Sequence, residues 1–175
     1  LFSPNGKYKF RSNVNVSSIF EGGENEFGHK AEVDLNKVDG KWQFGISYEE
    51  ESDTYDHNDL GFLYNNNSRV YQLSGSWNNF KESKHFYRRK AEISWFYEEL
   101  YKPQLYNSSG FSWSIGGLHK KQIYMQLSGR VRPFGIVDHF ESREAGGGDI
   151  MIPSTKRYSM YYVGHCVCYQ CWGQD

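Results

Sequence analysis

Apolar and polar side chains alternate with period two along nearly the whole chain. The stretch AEVDLNKVDGKWQFGISYE, residues 31–49, is the clearest case. One face collects Ala31, Val33, Leu35, Trp42, Phe44, Ile46 and Tyr48. The other collects Glu32, Asp34, Asn36, Gln43, Ser47 and Glu49. Strict alternation bounded by turn residues predicts two half-buried strands, not a helix. Asp39-Gly40 between them suits a two-residue type I′ turn, whose central positions both need positive φ. That turn predicts Val38 opposite Lys41, Leu35 opposite Phe44, Val33 opposite Ile46 and Ala31 opposite Tyr48. A slip of one residue would reverse both faces.

The same period recurs before and after this hairpin. An earlier strand, KYKFRSNVNVSSIF, sets Tyr8, Phe10, Val14, Val16 and Phe20 against Lys9, Arg11, Asn13, Asn15 and Ser17. RVYQLSGSWNNF sets Tyr71, Leu73 and Trp77 against Gln72, Ser74 and Ser76. FYRRKAEISWFYEE sets Ala91, Ile93, Trp95 and Tyr97 against Lys90, Glu92, Ser94 and Glu98. GFSWSIGGL, QIYMQLSGRV and KRYSMYYVG continue the pattern through Phe111, Trp113, Ile115, Met125, Leu127, Tyr158, Met160 and Tyr162. The expectation is an all-β, antiparallel up-and-down meander of about eight long strands. It occupies residues 1–164 as one domain, followed by an atypical cysteine-rich tail at 165–175.

The connections decide what the meander is for. Short turns, VDGK, KESKH and HKK, alternate with longer links, EGGENEFG, EESDTYDHNDLGFLYNNNS, LYKPQLYNSS and RPFGIVDHFESREAGGGDIMIPST. Antiparallel neighbours bring all short turns to one end and all long links to the other, the layout of an outer-membrane barrel. The strands run about 9–13 residues, enough to cross a bilayer when tilted, whereas strands of soluble proteins average about five or six. Trp42, Tyr48, Tyr71, Trp77, Tyr97 and Phe111 fall near predicted strand ends, where interfacial aromatics gather. The expected fold is therefore part or all of a transmembrane β-barrel. Its lumen would be lined by Lys9, Arg11, Lys30, Glu32, Asp34, Lys90, Glu92 and Arg130. A soluble β-sandwich or lipocalin-like barrel stays open, because alternation alone does not choose a solvent.

Composition adds to this reading. The 175 residues include 14 Tyr, 12 Phe and 5 Trp, together 18%, and only 4 Pro. Such aromatic richness suits strands. The net charge of −1 gives no electrostatic case for nucleic acid. No apolar run approaches the roughly 18–20 residues of a membrane helix. Leu1 opens the chain without a charged or apolar leader, so the chain reads as a fragment without a signal peptide.

Candidate chemistry is sparse. Cys166, Cys168 and Cys171 with His165 offer soft ligands, but the spacing lacks a second partner pair; the tail reads as truncated or non-native, and no metal site is assigned. Asp53, Asp56 and Asp59 near Glu50 and Glu51 could gather oxygen ligands, yet the loop lacks the glycine and terminal glutamate of a calcium loop. An ordinary solvated acidic loop is the expectation. EAGGGDI precedes no helix that could hold a phosphate. No G-x-S-x-G elbow occurs. No cofactor and no catalytic residue is assigned, and the protein is not expected to be an enzyme.

NDLGFL, residues 58–63, follows GKWQFGISYEEES and an acidic loop, and RPFGIVDHFESRE follows the seventh predicted strand. With these runs the chain, over roughly residues 7–163, resembles domain-of-unknown-function family 5916. The resemblance implies an outer-membrane β-barrel of Gram-negative bacteria, often preceded by a carbohydrate-binding-like module that lies outside this sequence. No catalytic residues are established for that family. The resemblance implies location and architecture, with the lipid bilayer as partner and carbohydrate as a ligand for the external loops. In those loops Asp59, Phe62, Asp138, Phe140, Glu141 and Arg143 are the ligand-binding candidates; packing competes for Phe140, Glu141 and Arg143. The expected role is passage of solutes or anchoring of a carbohydrate-related module. The alternatives are a soluble carbohydrate-binding β-sheet module and a piece of a TonB-dependent receptor barrel. Outer-membrane barrels typically end on an aromatic in a full strand, and GHCVCYQCWGQD departs from that pattern.

Overall fold

The computed structural model describes residues 1–21, 24–56, 66–141 and 148–164. These residues form strands and no helix. The strands are β1 (Tyr8–Glu21), β2 (Glu24–Lys37), β3 (Trp42–Glu51), β4 (Ser68–Asn79) and β5 (Phe86–Glu99). They continue with β6 (Tyr106–His119), β7 (Ile123–Arg132), β8 (Ile136–Glu141), β9 (Gly148–Ile152) and β10 (Thr155–Gly164). One antiparallel sheet runs β1-β2-β3-β4-β5-β6-β7-β10, with β8 and β9 off this path. β1 and β10 stand at its two ends, so the sheet is open.

Cross-strand pairing aligns the two faces over the whole meander. One row reads Lys9, Asn36, Gly45, Ser74, Ser94, Ser112, Arg130, Arg157. A row on the opposite face reads Phe10, Leu35, Ile46, Leu73, Trp95, Phe111, Val131. Every strand keeps the alternation read from the sequence.

The sheet has no ordinary hydrophobic core. Among the described residues the buried apolar side chains are Tyr55 and Leu100, while Glu51, Ser52, Ser108 and Ser109 are buried polar ones. The apolar face is open: Ile46 is 51% exposed, Ile93 58% and Ile115 59%. The sheet curls the other way, because residues from β1 to β7 and from β10 on the polar side line a single cavity of about 790 Å3. Most polar side chains face inward and most rings outward, with Phe96, Tyr124 and Tyr161 as inward exceptions.

Four expectations are corrected. In the β2–β3 hairpin Lys37 pairs with Phe44, Leu35 with Ile46, Val33 with Tyr48 and Ala31 with Glu50. The register is two residues away from the type I′ expectation. Gly40 has φ +89°, but Asp39 is not left-handed. The wider loop is closed by Lys37 Nζ donating to the Trp42 carbonyl at 2.5 Å and Gln43 Nε2 donating to the Val38 carbonyl at 3.0 Å. A two-residue shift leaves both faces intact, so the hydrophobic pattern cannot sense it. Second, EGGENEFG is not a long link: pairing reaches Glu21 opposite Glu24. Third, β6 starts at Tyr106, so Phe111 lies within the apolar band and not at a strand end. Fourth, the link after β7 contains the hairpin β8–β9, with Ile136 opposite Ile152 and Val137 opposite Met151. β8 takes up the edge of β6 beyond the reach of β7, through Ser108 and Ile136.

Candidate functional site

The inner face is built from charged residues that find each other across strands. Arg11 Nε donates to Asp34 Oδ2 at 2.7 Å. Lys30 Nζ lies 2.6 Å from Glu49, 3.4 Å from Glu51 and 3.8 Å from Glu32. Lys90 meets Glu92 at 2.6 Å, and Glu92 also accepts from Ser114 at 3.1 Å. Glu98 accepts from Asn107 and Ser108 at 2.9 and 2.7 Å. Between these groups lies a floor of small residues, with Ser94 and Ser112 hydroxyls 2.7 Å apart and Ser128 and Ser159 hydroxyls 2.8 Å apart. Small side chains leave room, so the cavity is an opening and not a packed interior. All eight residues expected on the inner face lie there by register, and Lys9, Glu92 and Arg130 line the cavity itself.

The loop after β3 folds onto this inner face at the long-link end. Gly28 sits against it so tightly that a Cβ would come within 2.3 Å of the Tyr55 Cα. Ser52 Oγ accepts from the His29 N–H at 2.9 Å, Thr54 Oγ1 donates to the Phe27 carbonyl at 2.6 Å, and the Asp56 N–H donates to Ser17 Oγ at 3.1 Å.

The outer face carries two aromatic rows. Trp42 and Trp77 pair near the short turns, with ring centroids 6.4 Å apart. Tyr48, Tyr71, Tyr97 and Tyr106 form a file near the long links, with successive centroids 5.2, 6.2 and 5.8 Å apart. Trp42 and Tyr48 are six residues apart on one strand, which is about 20 Å of strand length. Immediately beyond the tyrosines the outer face turns ionic. Arg69 bridges Glu50 at 2.7 Å and Glu99 at 3.2 Å. Glu50 also contacts His29 at 3.0 Å and accepts from the Tyr48 hydroxyl at 2.5 Å. The Arg69 guanidinium lies over the Tyr101 ring at 5.2 Å. The sequence reading missed this cluster. Its signal is the spacing Tyr48-x-Glu50, Arg69-x-Tyr71 and Tyr97-x-Glu99, in which each charge takes the next outward position after a tyrosine.

The β8–β9 hairpin makes a second recess, a cleft of about 430 Å3 lined by Trp95, Tyr97, Tyr106, Ser109, Phe134, Val137 and Met151. His139 holds it in place, Nδ1 at 2.8 Å from Asp149 Oδ1 and Nε2 at 2.9 Å from the Tyr106 carbonyl. Partial burial disfavours the His139 cation, but these two acceptors outweigh that cost and raise its pKa above the usual 6.5. The Tyr106 hydroxyl donates to the Gly135 carbonyl at 3.2 Å.

Of the external ligand candidates, Asp138 lies on β8 beside His139, and Phe140 and Glu141 belong to the same strand. Asp59, Phe62 and Arg143 lie outside the described residues, as does the cysteine tail with His165. In the described part of the acidic loop the two glutamates diverge: Glu50 points outward to Arg69, and Glu51 inward to Lys30. Among the described residues no group of three or more His, Cys, Asp or Glu could hold a metal ion. No helix in the described residues is long and apolar enough to cross a membrane.

Fold and faces define an all-β antiparallel meander with a polar, water-accessible concave side and an apolar aromatic convex side. Residues 2–164 match the family model for a domain of unknown function, DUF5916, and the chain belongs to that family. No curated protein and no solved structure matches it.

Proposed function

We propose that this chain is wall of a bacterial outer-membrane β-barrel, a non-catalytic protein that passes solutes or anchors a carbohydrate-related module at the surface. One observation carries the reading: the apolar residues lie on the exposed convex face, and the charged and hydroxyl residues surround the cavity. A water-soluble sheet of this size buries its apolar face, since burial of that surface is the main force that folds it. The same face in hydrocarbon is already in its preferred medium. Lipid also explains the two aromatic rows, which match interfacial girdles bounding an apolar band. The unpaired backbone groups of β1 and β10 need partners in lipid, so the sheet serves as part of a closed cylinder. The long links, with Asp59, Phe62, Asp138, Phe140, Glu141 and Arg143, would face outward and meet carbohydrate. Removing detergent from purified protein tests this: aggregation is expected, and a monomer that stays folded in plain buffer contradicts it.

A second reading has its own observation. Trp95, Tyr97 and Tyr106 in the β8–β9 cleft offer ring faces of the kind that stack on sugars. A soluble carbohydrate-binding module would use them in water. Quenching of tryptophan fluorescence by sugars in plain buffer supports that reading; an unchanged spectrum removes it.

A further inference from the structure

We infer that the inner wall formed by β7 and β10 binds an oxyanion group of a solute, a phosphate or a carboxylate, through Arg130 and Arg157, with Arg132 beside them. Arg130 and Arg157 stand directly opposite each other across the β7–β10 ladder. Like charges in that position repel at side-chain distance. Both line the cavity, together with Lys9 from the far edge of the sheet. Arg132 lies two residues along β7 on the same face. Its Nε is buried without a hydrogen-bond partner, and its guanidinium rests over the Phe96 ring at 5.9 Å. None of the three arginines has an ion pair among the described residues. The carboxylates of the same face are already engaged: Asp34 by Arg11, Glu49 by Lys30, Glu92 by Lys90 and Glu98 by two hydrogen bonds.

On the β7–β10 wall two facing cations therefore stand without an ion-pair partner among the described residues. Guanidinium groups present paired N–H donors that fit phosphate and carboxylate oxygens two at a time. The Ser128 and Ser159 hydroxyls, in the row beside Arg130 and Arg157, add donors for the rest of a polyhydroxy solute. An anion between Arg130 and Arg157 turns their repulsion into attraction.

This inference deepens the barrel reading, which it uses for access of the solute to the inner face. The test separates the two. The full chain is folded in a neutral detergent and titrated with inorganic phosphate, glucuronate and glucose by calorimetry. Saturable binding of phosphate or glucuronate, absent for glucose, is expected; the stronger of the two identifies the oxyanion. Arg130→Gln and Arg157→Gln should each weaken it by about tenfold, while Lys156→Gln, the neighbour of Arg157 on β10 but on the opposite face, should leave it unchanged. Far-UV circular dichroism confirms that each variant is folded. No saturable binding by the folded wild-type chain, or equal weakening by Lys156→Gln, overturns the inference. Chain that needs no detergent yet binds phosphate through the arginines contradicts the membrane reading alone.

Discussion

Gly28 and Arg69 show how single positions hold this structure without a core. At Gly28 the approaching atom is backbone, the Tyr55 Cα, so a methyl group cannot be accommodated by a side-chain rotation. Gly28→Ala is expected to lower unfolding free energy by about 1–3 kcal/mol and to loosen the loop at Ser52–Asp56, read by denaturant titration and by hydrogen exchange of the Asp56 amide. Unchanged stability would mean that the loop does not lie there. Arg69 is different because its partners are two carboxylates. Arg69→Ala leaves Glu50 and Glu99 facing each other without a cation. A loss of about 2–3 kcal/mol is expected, and Glu50→Gln in the same background should recover part of it. A neutral Arg69→Ala would place the cluster in free solvent. These residues were hidden in the sequence for one reason. Charges are read as belonging to the polar face, yet Glu50, Arg69 and Glu99 sit at outward positions, where parity rather than chemistry reveals them.

At the scale of elements, strand identity was largely legible and register was not. Side-chain period located every strand of the main meander, because alternation in each strand matches that of its neighbours. The β2–β3 register escaped because a two-residue shift conserves faces, and the turn is set by the reach of Lys37 and Gln43. The β8–β9 hairpin was hidden inside an apparent loop by its short strands and by the glycines between them. Its attachment has a pH dependence. His139 has a raised pKa, so the cationic form favours the docked hairpin. That stability is full below the unfolded value of 6.5 and is lost as pH rises through the higher folded value. Hydrogen exchange at Gly148–Ile152, corrected for intrinsic rates, should therefore be slower near about pH 6 than near about pH 9. His139→Gln should abolish the difference. A flat profile in the wild-type chain would show that the contacts to Asp149 and Tyr106 do not hold the hairpin.

For the whole molecule, the two faces matter more than any single contact. The sequence named the residues of each face but not the medium each one meets. The direction in which the sheet curls adds which face borders the cavity, mainly serines and charges, and which lies open, with most of the isoleucines and rings. The candidate inner-face residues were legible because one parity rule governs eight strands. The arginine wall was not, because Arg130, Arg132 and Arg157 come together only when β10 pairs with β7 across the inserted hairpin.

The most direct measurement of the central claim is the medium around the outward tryptophans. Trp42, Trp77, Trp95 and Trp113 all lie on the apolar face, so a Trp172→Phe chain reports that face alone. Reconstituted into vesicles of brominated lipids, its fluorescence should be strongly quenched, most by bromines near the headgroups for Trp42 and Trp77 and deeper for Trp95 and Trp113. Fluorescence untouched by brominated lipid and quenched freely by iodide in water would contradict it.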